Sequence, residues 1–261
     1  MESISNPLER LRQQILRNPP RQHVAEKLVS GKIDCPHSIQ HCEACVDGVY
    51  NDYEGNRIKY LTTECRKKQV KAKMLSESGL IGKDIAETFR KAKIDSYNKG
   101  PYNYLQNKWN RAEWLYIWSR ENGTGKSYTA NAIANMLLDE GIRTLVKREV
   151  DMANEIQETF SDKSGECEYA LMGKWKGVAA LIIQDVGKYG CKSEWWPQRI
   201  YDIIDYRLIN SKTTIFTSNY NIEDRDVIER RFGENHGGAI YSRLNGLCTT
   251  IEMDGEDRRI K

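Results

Sequence analysis

Between Arg120 and Ser127 the chain reads Arg-Glu-Asn-Gly-Thr-Gly-Lys-Ser. Two glycines, then a cation and a hydroxyl, are the residue types that grip a phosphate chain. Gly123 and Gly125 let the backbone turn tightly and bring its N–H groups close to phosphate oxygens. Lys126 is placed to reach β- and γ-phosphates, and the Ser127 hydroxyl to meet Mg²⁺. Asn122, Thr124 and Tyr128 complete the stretch expected to touch ATP. The flanks agree. An aromatic, strand-like run, Trp114-Leu-Tyr-Ile-Trp118, leads in, and a helix-like run from Tyr128 to Leu138 leads out. Strand, Gly-containing loop ending in Gly-Lys-Ser, then helix is the phosphate-binding loop in its confirming context. The helix adds its positive N-terminal end. Arg120 stands where the usual pattern has its first glycine.

A second set of polar residues falls at the ends of apolar runs. Ala179-Ala-Leu-Ile-Ile183 suits a buried strand, and Gln184-Asp185-Val-Gly187 follows it. In phosphate-loop ATPases an acid here holds Mg²⁺ and a second polarises the attacking water. Only one carboxylate is present. Either Asp185 takes the metal role, or Gln184 occupies that position and Asp185 is the catalytic acid. A strand ending at Ile183 favours the second register and a weakened metal site. Thr213-Thr-Ile-Phe-Thr-Ser-Asn219 is a further buried strand, and Asn219 at its end is placed to orient a water beside the γ-phosphate. Arg243 and the Arg258-Arg259 pair are cations outside the loop, of the kind that stabilise charge on a γ-phosphate.

The elements that must position these residues alternate. Strands are expected at Trp114–Ser119, Thr144–Lys147, Leu181–Gln184, Thr213–Thr217 and Cys248–Glu252, with helical stretches between most of them. That order predicts an α/β fold, a parallel sheet flanked by helices. Upstream, residues 1–30 read as helical up to Pro19-Pro20, Lys67 to about Leu75 as a basic helix, and Asp84 to Tyr97 as another helix. Residues 31–65 carry little periodic pattern but hold Cys35, His37, His41, Cys42, Cys45 and Cys65. Cys42-Glu-Ala-Cys45, with Cys35 before it and Cys65 after, can close a tetrahedral structural zinc site. His37 or His41 can replace one thiolate, Cys35 first among them. Bound Zn²⁺ would explain how a segment with so few apolar residues folds.

A chain of 261 residues with a net charge of +3 has room for one good-sized core and a smaller appendage. The charge is too small to require a nucleic-acid partner, but basic residues cluster from Arg10 to Arg21 and from Arg66 to Lys73. No apolar run reaches transmembrane length and no signal peptide opens the chain, so no membrane association and a cytoplasmic location are expected. Lys188-Tyr-Gly-Cys-Lys-Ser-Glu-Trp-Trp196 interleaves cations with aromatics. Such a mixture suits single-stranded DNA, with Lys192, Ser193 and Trp195 as contacts, and equally suits a tryptophan pair packed under a surface loop.

Together these residues resemble the replicative helicase loaders of the DnaC/DnaI type, within the AAA+ class, with the related IstB transposition ATPases nearby. The matching stretches are Trp114–Trp118, Gly123–Ser127, Gln184–Gly187, Ile203-Ile-Asp-Tyr-Arg207, Thr214–Asn219, Tyr241-Ser-Arg-Leu244 and Gly255-x-Asp-x-Arg259. They span roughly residues 80–261 in the family's order. The resemblance implies Walker A at Lys126 and Ser127, Walker B at Asp185, and sensor I at Asn219. It implies an arginine finger at Arg243 acting on a neighbouring subunit, and sensor II at Arg259. It implies an ATPase domain over 76–261 and a zinc-bearing, helicase-binding domain over 1–75. The implied partners are a DnaB-type hexameric helicase, single-stranded DNA and further copies of the chain, joined head-to-tail through the ATP sites. Two alternatives stand beside the loader. One is an IstB-like transposition helper, against which the cysteine cluster argues. The other is a nucleotide-binding DNA adaptor with little hydrolysis.

Overall fold

The computed structural model describes residues 45–46, 49–54, 57–62, 64–160, 167–190 and 195–259. The chain divides into two compact units at Val70. In the first, β1 (Cys45–Val46), β2 (Val49–Glu54) and β3 (Arg57–Thr62) form an antiparallel sheet in that order. Glu54 pairs with Arg57, so Gly55 and Asn56 alone join the two longer strands. Gly-Asn between two such runs is a hairpin signal. The sequence reading, which expected a helical and zinc-binding module here, passed over it. Helix α1 (Glu64–Ser76) follows, where the basic run from Lys67 was expected to be helical. The helix expected within residues 1–30 lies outside the described residues.

The second unit is built on five parallel strands. After α2 (Lys99–Asn107) come β4 (Trp114–Trp118), α3 (Lys126–Asp139), β5 (Thr144–Arg148) and α4 (Glu149–Glu158). Then come α5 (Glu168–Gly177), β6 (Ala180–Val186), α6 (Trp195–Ile209), β7 (Thr213–Ser218), α7 (Arg225–Leu247) and β8 (Cys248–Glu252). The sheet order is β5-β6-β7-β4-β8, and every pairing is parallel. All five strands stand where the sequence placed them. Parallel strands bury both faces, which is why these read as nearly unbroken apolar runs. Successive β6 residues serve opposite sides. Leu181 and Ile183 pack with Met152, Trp175, Trp196, Ile203 and Phe232 of α4–α7. Ala180 and Ile182 pack with Ile133 and Leu137 of α3, Leu105 of α2, and Phe89.

One expected helix is absent. Residues 84–97 form two short 3₁₀ turns, Gly82–Ala86 and Phe89–Lys91, inside an irregular strap. Tertiary hydrogen bonds explain the difference. The amide of Asn135, buried on α3, donates to the carbonyls of Asp84 and Glu87, and Asn131 donates to the Glu87 carboxylate. These bonds tie the segment to α3 in an extended path, with the Asp84 carbonyl also accepting the Glu87 N–H in a 3₁₀ turn. Only Phe89 of the two turns is buried; Ile85 and Ile94 are exposed, so an apolar helix face would have had nothing to cover.

Arg207 sits within the second unit with no exposure at all. Its guanidinium donates to the carbonyls of Trp175, Lys176 and Val178 through Nη1, and to those of Ala179 and Thr213 through Nη2. Nε donates to Thr214 Oγ1. The end of α5, the start of β6 and the start of β7 are thus tied by one side chain. Arg207 belongs to the scaffold, although its stretch was singled out by resemblance.

Candidate nucleotide site

The loop after β4, the end of β6 and the end of β7 lie together at the C-terminal edge of the sheet, next to the point where the strand order turns back at β4. Ligands bind at that place in open α/β sheets. A cleft of about 600 Å³ opens there, lined by Lys126, Ser127, Asp185, Lys188 and Asn219, by Arg258 and Arg259, and by Glu87, Tyr102 and Tyr128. A larger depression, about 880 Å³, lies at the other end of the sheet around Ile142–Leu145 and Val178–Ala179 and holds none of these groups.

Gly123 and Gly125 have φ of 77° and 100°, a region that costs side-chain-bearing residues dearly. Space forbids side chains there as well. The Asp257 carboxylate fills the room a Cβ on Gly123 would need, and the Arg258 guanidinium comes within 3.0 Å of a Cβ on Gly125. Lys126 Nζ is nearly buried and donates to the carbonyls of Ser119 (3.2 Å) and Glu121 (2.7 Å). Burial lowers its pKa below the ordinary lysine value, and the Asp185 carboxylate opposes that effect. Thr124 Oγ1 is buried without a partner among the described residues. Ser127 is exposed to the cleft. Tyr128 donates its hydroxyl to the Thr88 carbonyl, joining the strap to the start of α3.

The end of β6 resolves where the two polar residues point. The strand continues past Ile183 to Val186, so the expected stop at Ile183 is not observed. Its register with β7 shifts between Ile183 and Val186, and Asp185 takes a left-handed φ of 62°. Such bulges re-aim side chains. Thr217 Oγ1 accepts from the Asp185 N–H, and Ser218 Oγ donates to the Val186 carbonyl, which holds the bulge. The Asp185 carboxylate faces the cleft in an ion pair with Lys188 at 2.9 Å. Gln184 is buried, and its amide donates to Asn131 Oδ1 at 2.8 Å. Asn219 closes the far wall: Nδ2 donates to Asn122 Oδ1, and Oδ1 is buried without a partner among the described residues.

The two C-terminal arginines part company. Arg259 is exposed and forms a fork-to-fork pair with Asp257. Those hydrogen bonds push the Asp257 carboxyl down to about 2. Arg258, to which the resemblance assigns no role, lies across the loop. Its N–H donates to the Gly123 carbonyl, its guanidinium pairs with Asp95 at 2.7 Å, and Nη1 is buried without a partner. Both line the cleft. The only sequence signal for Arg258 was its adjacency to Arg259.

Arg243 stands apart from this cleft. On α7 it pairs with Asp205 at 2.6 Å, donates to the Tyr201 hydroxyl at 2.8 Å and stacks 4.6 Å from the Tyr201 ring centre. Trp195, at the first turn of α6, is half-buried. It meets Phe160 edge-on at 5.7 Å and Trp196 at 6.0 Å, with the Arg199 guanidinium 5.8 Å over its ring. Lys192 and Ser193 lie outside the described residues, as do Cys35 and Cys42. Cys45 falls in β1 and Cys65 in the first turn of α1. Among the described residues no group of three His, Cys, Asp or Glu side chains is placed to hold a metal ion, and no helix is long and apolar enough to cross a membrane.

No protein-family model matches the chain. It is similar to curated replicative helicase loaders. Identity to DnaC of Buchnera aphidicola subsp. Baizongia pistaciae is 28% over 148 residues, covering 56% of this chain and 57% of that one. Identity to DnaC of Escherichia coli K12 is 31% over 109 residues, 42% and 44% of the two chains. Identity to DnaI of Bacillus subtilis 168 is 22% over 161 residues, 59% and 50% of the two chains. The chain thus spans about half the length of the curated relatives it matches. Among solved structures, DnaI superposes with a TM-score of 0.57 at 19% identity, over 72% of this chain and all of that one. The DnaC helicase loader gives 0.52 at 18%, over 67% of this chain and all of that one. DnaA bound to AMPPCP and single-stranded DNA gives 0.53 at 19%, over 66% and 50%. The five-stranded sheet with flanking helices is therefore the AAA+ fold, and the resemblance to loaders of the DnaC/DnaI type is borne out.

Proposed function

We propose that this chain is an ATP-dependent loader that places a DnaB-type hexameric replicative helicase on single-stranded DNA in the cytoplasm. The observation that carries the reading is the convergence of Lys126, Ser127, Asp185 and Asn219 in one cleft of a chain similar to curated helicase loaders. The groups present fit Mg²⁺–ATP. Two positive-φ glycines leave room for phosphate oxygens beside a buried ammonium, and Thr124 Oγ1 and Asn219 Oδ1 are buried without partners. Ser127 and Asp185 would hold Mg²⁺, which when bound neutralises charge on the phosphates. Lys126 would leave its carbonyl partners for phosphate oxygens. Asn219 would orient a water, and Asp185 would draw its proton.

The buried, amide-bonded Gln184 leaves Asp185 as the one carboxylate at the end of β6, which favours slow hydrolysis. ATP would then act more as a switch between engaged and released states than as fuel. The same observation supports, as a second reading, an adaptor that binds nucleotide with little turnover; phosphate release measured with DNA and helicase present separates the two. Co-purification from the source cell tests the main reading. ATP-dependent recovery of a hexameric helicase supports it, and recovery of a transposase in its place contradicts it.

Residues 76–261 would carry the ATPase function and residues 1–75 the helicase contact, the latter organised by one Zn²⁺ on Cys42, Cys45, Cys65 and either Cys35, His37 or His41. The motivating pattern is the C-x-x-C with flanking cysteines. Protein purified without chelator is expected to hold about one zinc per chain, and metal analysis finding none would remove the site.

Arg243 would complete the ATP site of a neighbouring copy. It is anchored on Asp205 and Tyr201, outside the cleft of its own subunit. A contact of that kind is head-to-tail and builds a ring or an open helix, within which Lys192, Ser193 and Trp195 would meet single-stranded DNA. Arg243→Ala is expected to bind ATP normally yet fail to assemble on DNA. Mixing it with Lys126→Ala subunits should restore part of the assembly, since each supplies the half-site the other lacks. Full assembly by Arg243→Ala alone would reduce Arg243 to a scaffold residue.

A further inference from the structure

Glu149 opens α4 just beyond the end of β5, and its carboxylate is 1% exposed. Among the described residues no lysine or arginine forms an ion pair with it. Its partners are N–H groups. Oε2 accepts from the Tyr189 N–H at 3.1 Å, while the Lys188 N–H in the same turn donates to the Asp185 carbonyl at 3.1 Å. Oε1 accepts from the Trp196 indole at 3.0 Å. One oxygen is thus tied to the backbone of the turn and the other to the first turn of α6.

The segment so gripped follows directly on Asp185. Gly187 has φ of 87°, and a Cβ there would come within 3.0 Å of the Tyr220 ring, so the turn is closely packed against the residue after Asn219. Lys188 reaches back from this turn to the Asp185 carboxylate. The helix N-terminus favours an acid at this position, but a buried acid is expensive unless its hydrogen bonds are met, and here they are met by the turn after Asp185 and by Trp196. The Glu149 carboxylate, the turn at 187–189, Lys188 and Asp185 form a continuous chain of contacts.

We propose that Glu149 is a positioning residue for the nucleotide reaction: by accepting from the Tyr189 N–H and the Trp196 indole it fixes the turn at 187–189 that sets Lys188 against Asp185. The inference rests on the reading of Asp185 as the acid of an ATP-hydrolysing cleft. Glu149 touches none of the cleft itself. It acts through the backbone, so its loss should lower turnover without weakening nucleotide binding.

The test compares full-length wild type with Glu149→Gln, Lys188→Met and Trp196→Phe, measuring ATP affinity, kcat and thermal stability. Glu149→Gln turns an amide NH₂ toward an N–H donor and should lower kcat about tenfold, with ATP affinity within about twofold of wild type. Lys188→Met, at a partly exposed site that does not threaten folding, should lower kcat similarly. Trp196→Phe removes the indole donor and part of a buried ring while leaving the Tyr189 N–H bond to Glu149, and should keep most of the activity; its missing indole N–H resonance also assigns that signal. The assigned resonance should shift in Glu149→Gln, reporting the altered acceptor independently of activity. Wild-type kcat in Lys188→Met, or in folded Glu149→Gln, overturns the proposal. Equal losses of kcat in Glu149→Gln and Trp196→Phe also overturn it, because the effect would then run through α6 packing. A wild-type protein that binds ATP but hydrolyses none, with DNA and helicase present, sinks the hydrolytic reading and this inference with it; variants equal to an active wild type sink the inference alone.

Discussion

Lys126→Ala is expected to weaken Mg²⁺–ATP binding about hundredfold, a loss of roughly 2.7 kcal/mol. The ammonium is nearly buried within the loop, and among the described residues its hydrogen bonds run to the carbonyls of Ser119 and Glu121. Phosphate oxygens would be stronger acceptors than those carbonyls, because both partners would then be charged. Lys126 belongs to neither hydrophobic core cluster, so the folded state should survive its removal. Titration calorimetry reads the affinity, and thermal unfolding provides the control. An unchanged affinity in a folded variant would mean that the loop does not bind nucleotide through Lys126.

Arg207→Ala is expected to destabilise the second unit by about 3–5 kcal/mol. Five backbone carbonyls and the Thr214 hydroxyl share this guanidinium, and no solvent reaches it to replace the lost donors. The truncation would also leave a cavity between α5, α6 and the starts of β6 and β7. Arg207→Lys should recover only part of the loss, because an ammonium has three donors and no planar fork. Urea unfolding monitored by tryptophan fluorescence measures the difference. A change within about 0.5 kcal/mol, the range of ordinary surface substitutions, would show that the carbonyls find other donors.

Arg207 also marks a limit of sequence reading. Its stretch was visible as a shared motif, but whether it served chemistry or scaffold depended on elements far apart in the chain. The strands were legible because parallel β-structure leaves unbroken apolar runs with a polar residue at the end, as in Leu181–Asp185 and Thr214–Asn219. The phosphate loop was legible because its backbone geometry demands glycine at 123 and 125. The strap at 84–97 was not, since buried amides on α3 decide its conformation and no local pattern announces them. The hairpin at 49–62 carried a legible Gly-Asn turn, overlooked beside the cysteines. Gln184 and Asp185 could not be ranked by run length, because a bulge and a left-handed residue settle where each points. Glu149 gave no signal at all: a glutamate after a strand is ordinary until it is found buried against the Tyr189 N–H and the Trp196 indole.

Retention of a hexameric replicative helicase on circular single-stranded DNA tests the central claim most directly. The helicase, the DNA and this protein would be mixed with or without ATP, and the helicase remaining on the DNA measured after removal of unbound protein. The account predicts retention that requires both ATP and the wild-type chain and that is lost with Lys126→Ala. Equal retention with Lys126→Ala, or retention indifferent to the presence of this protein, would contradict an ATP-dependent loader.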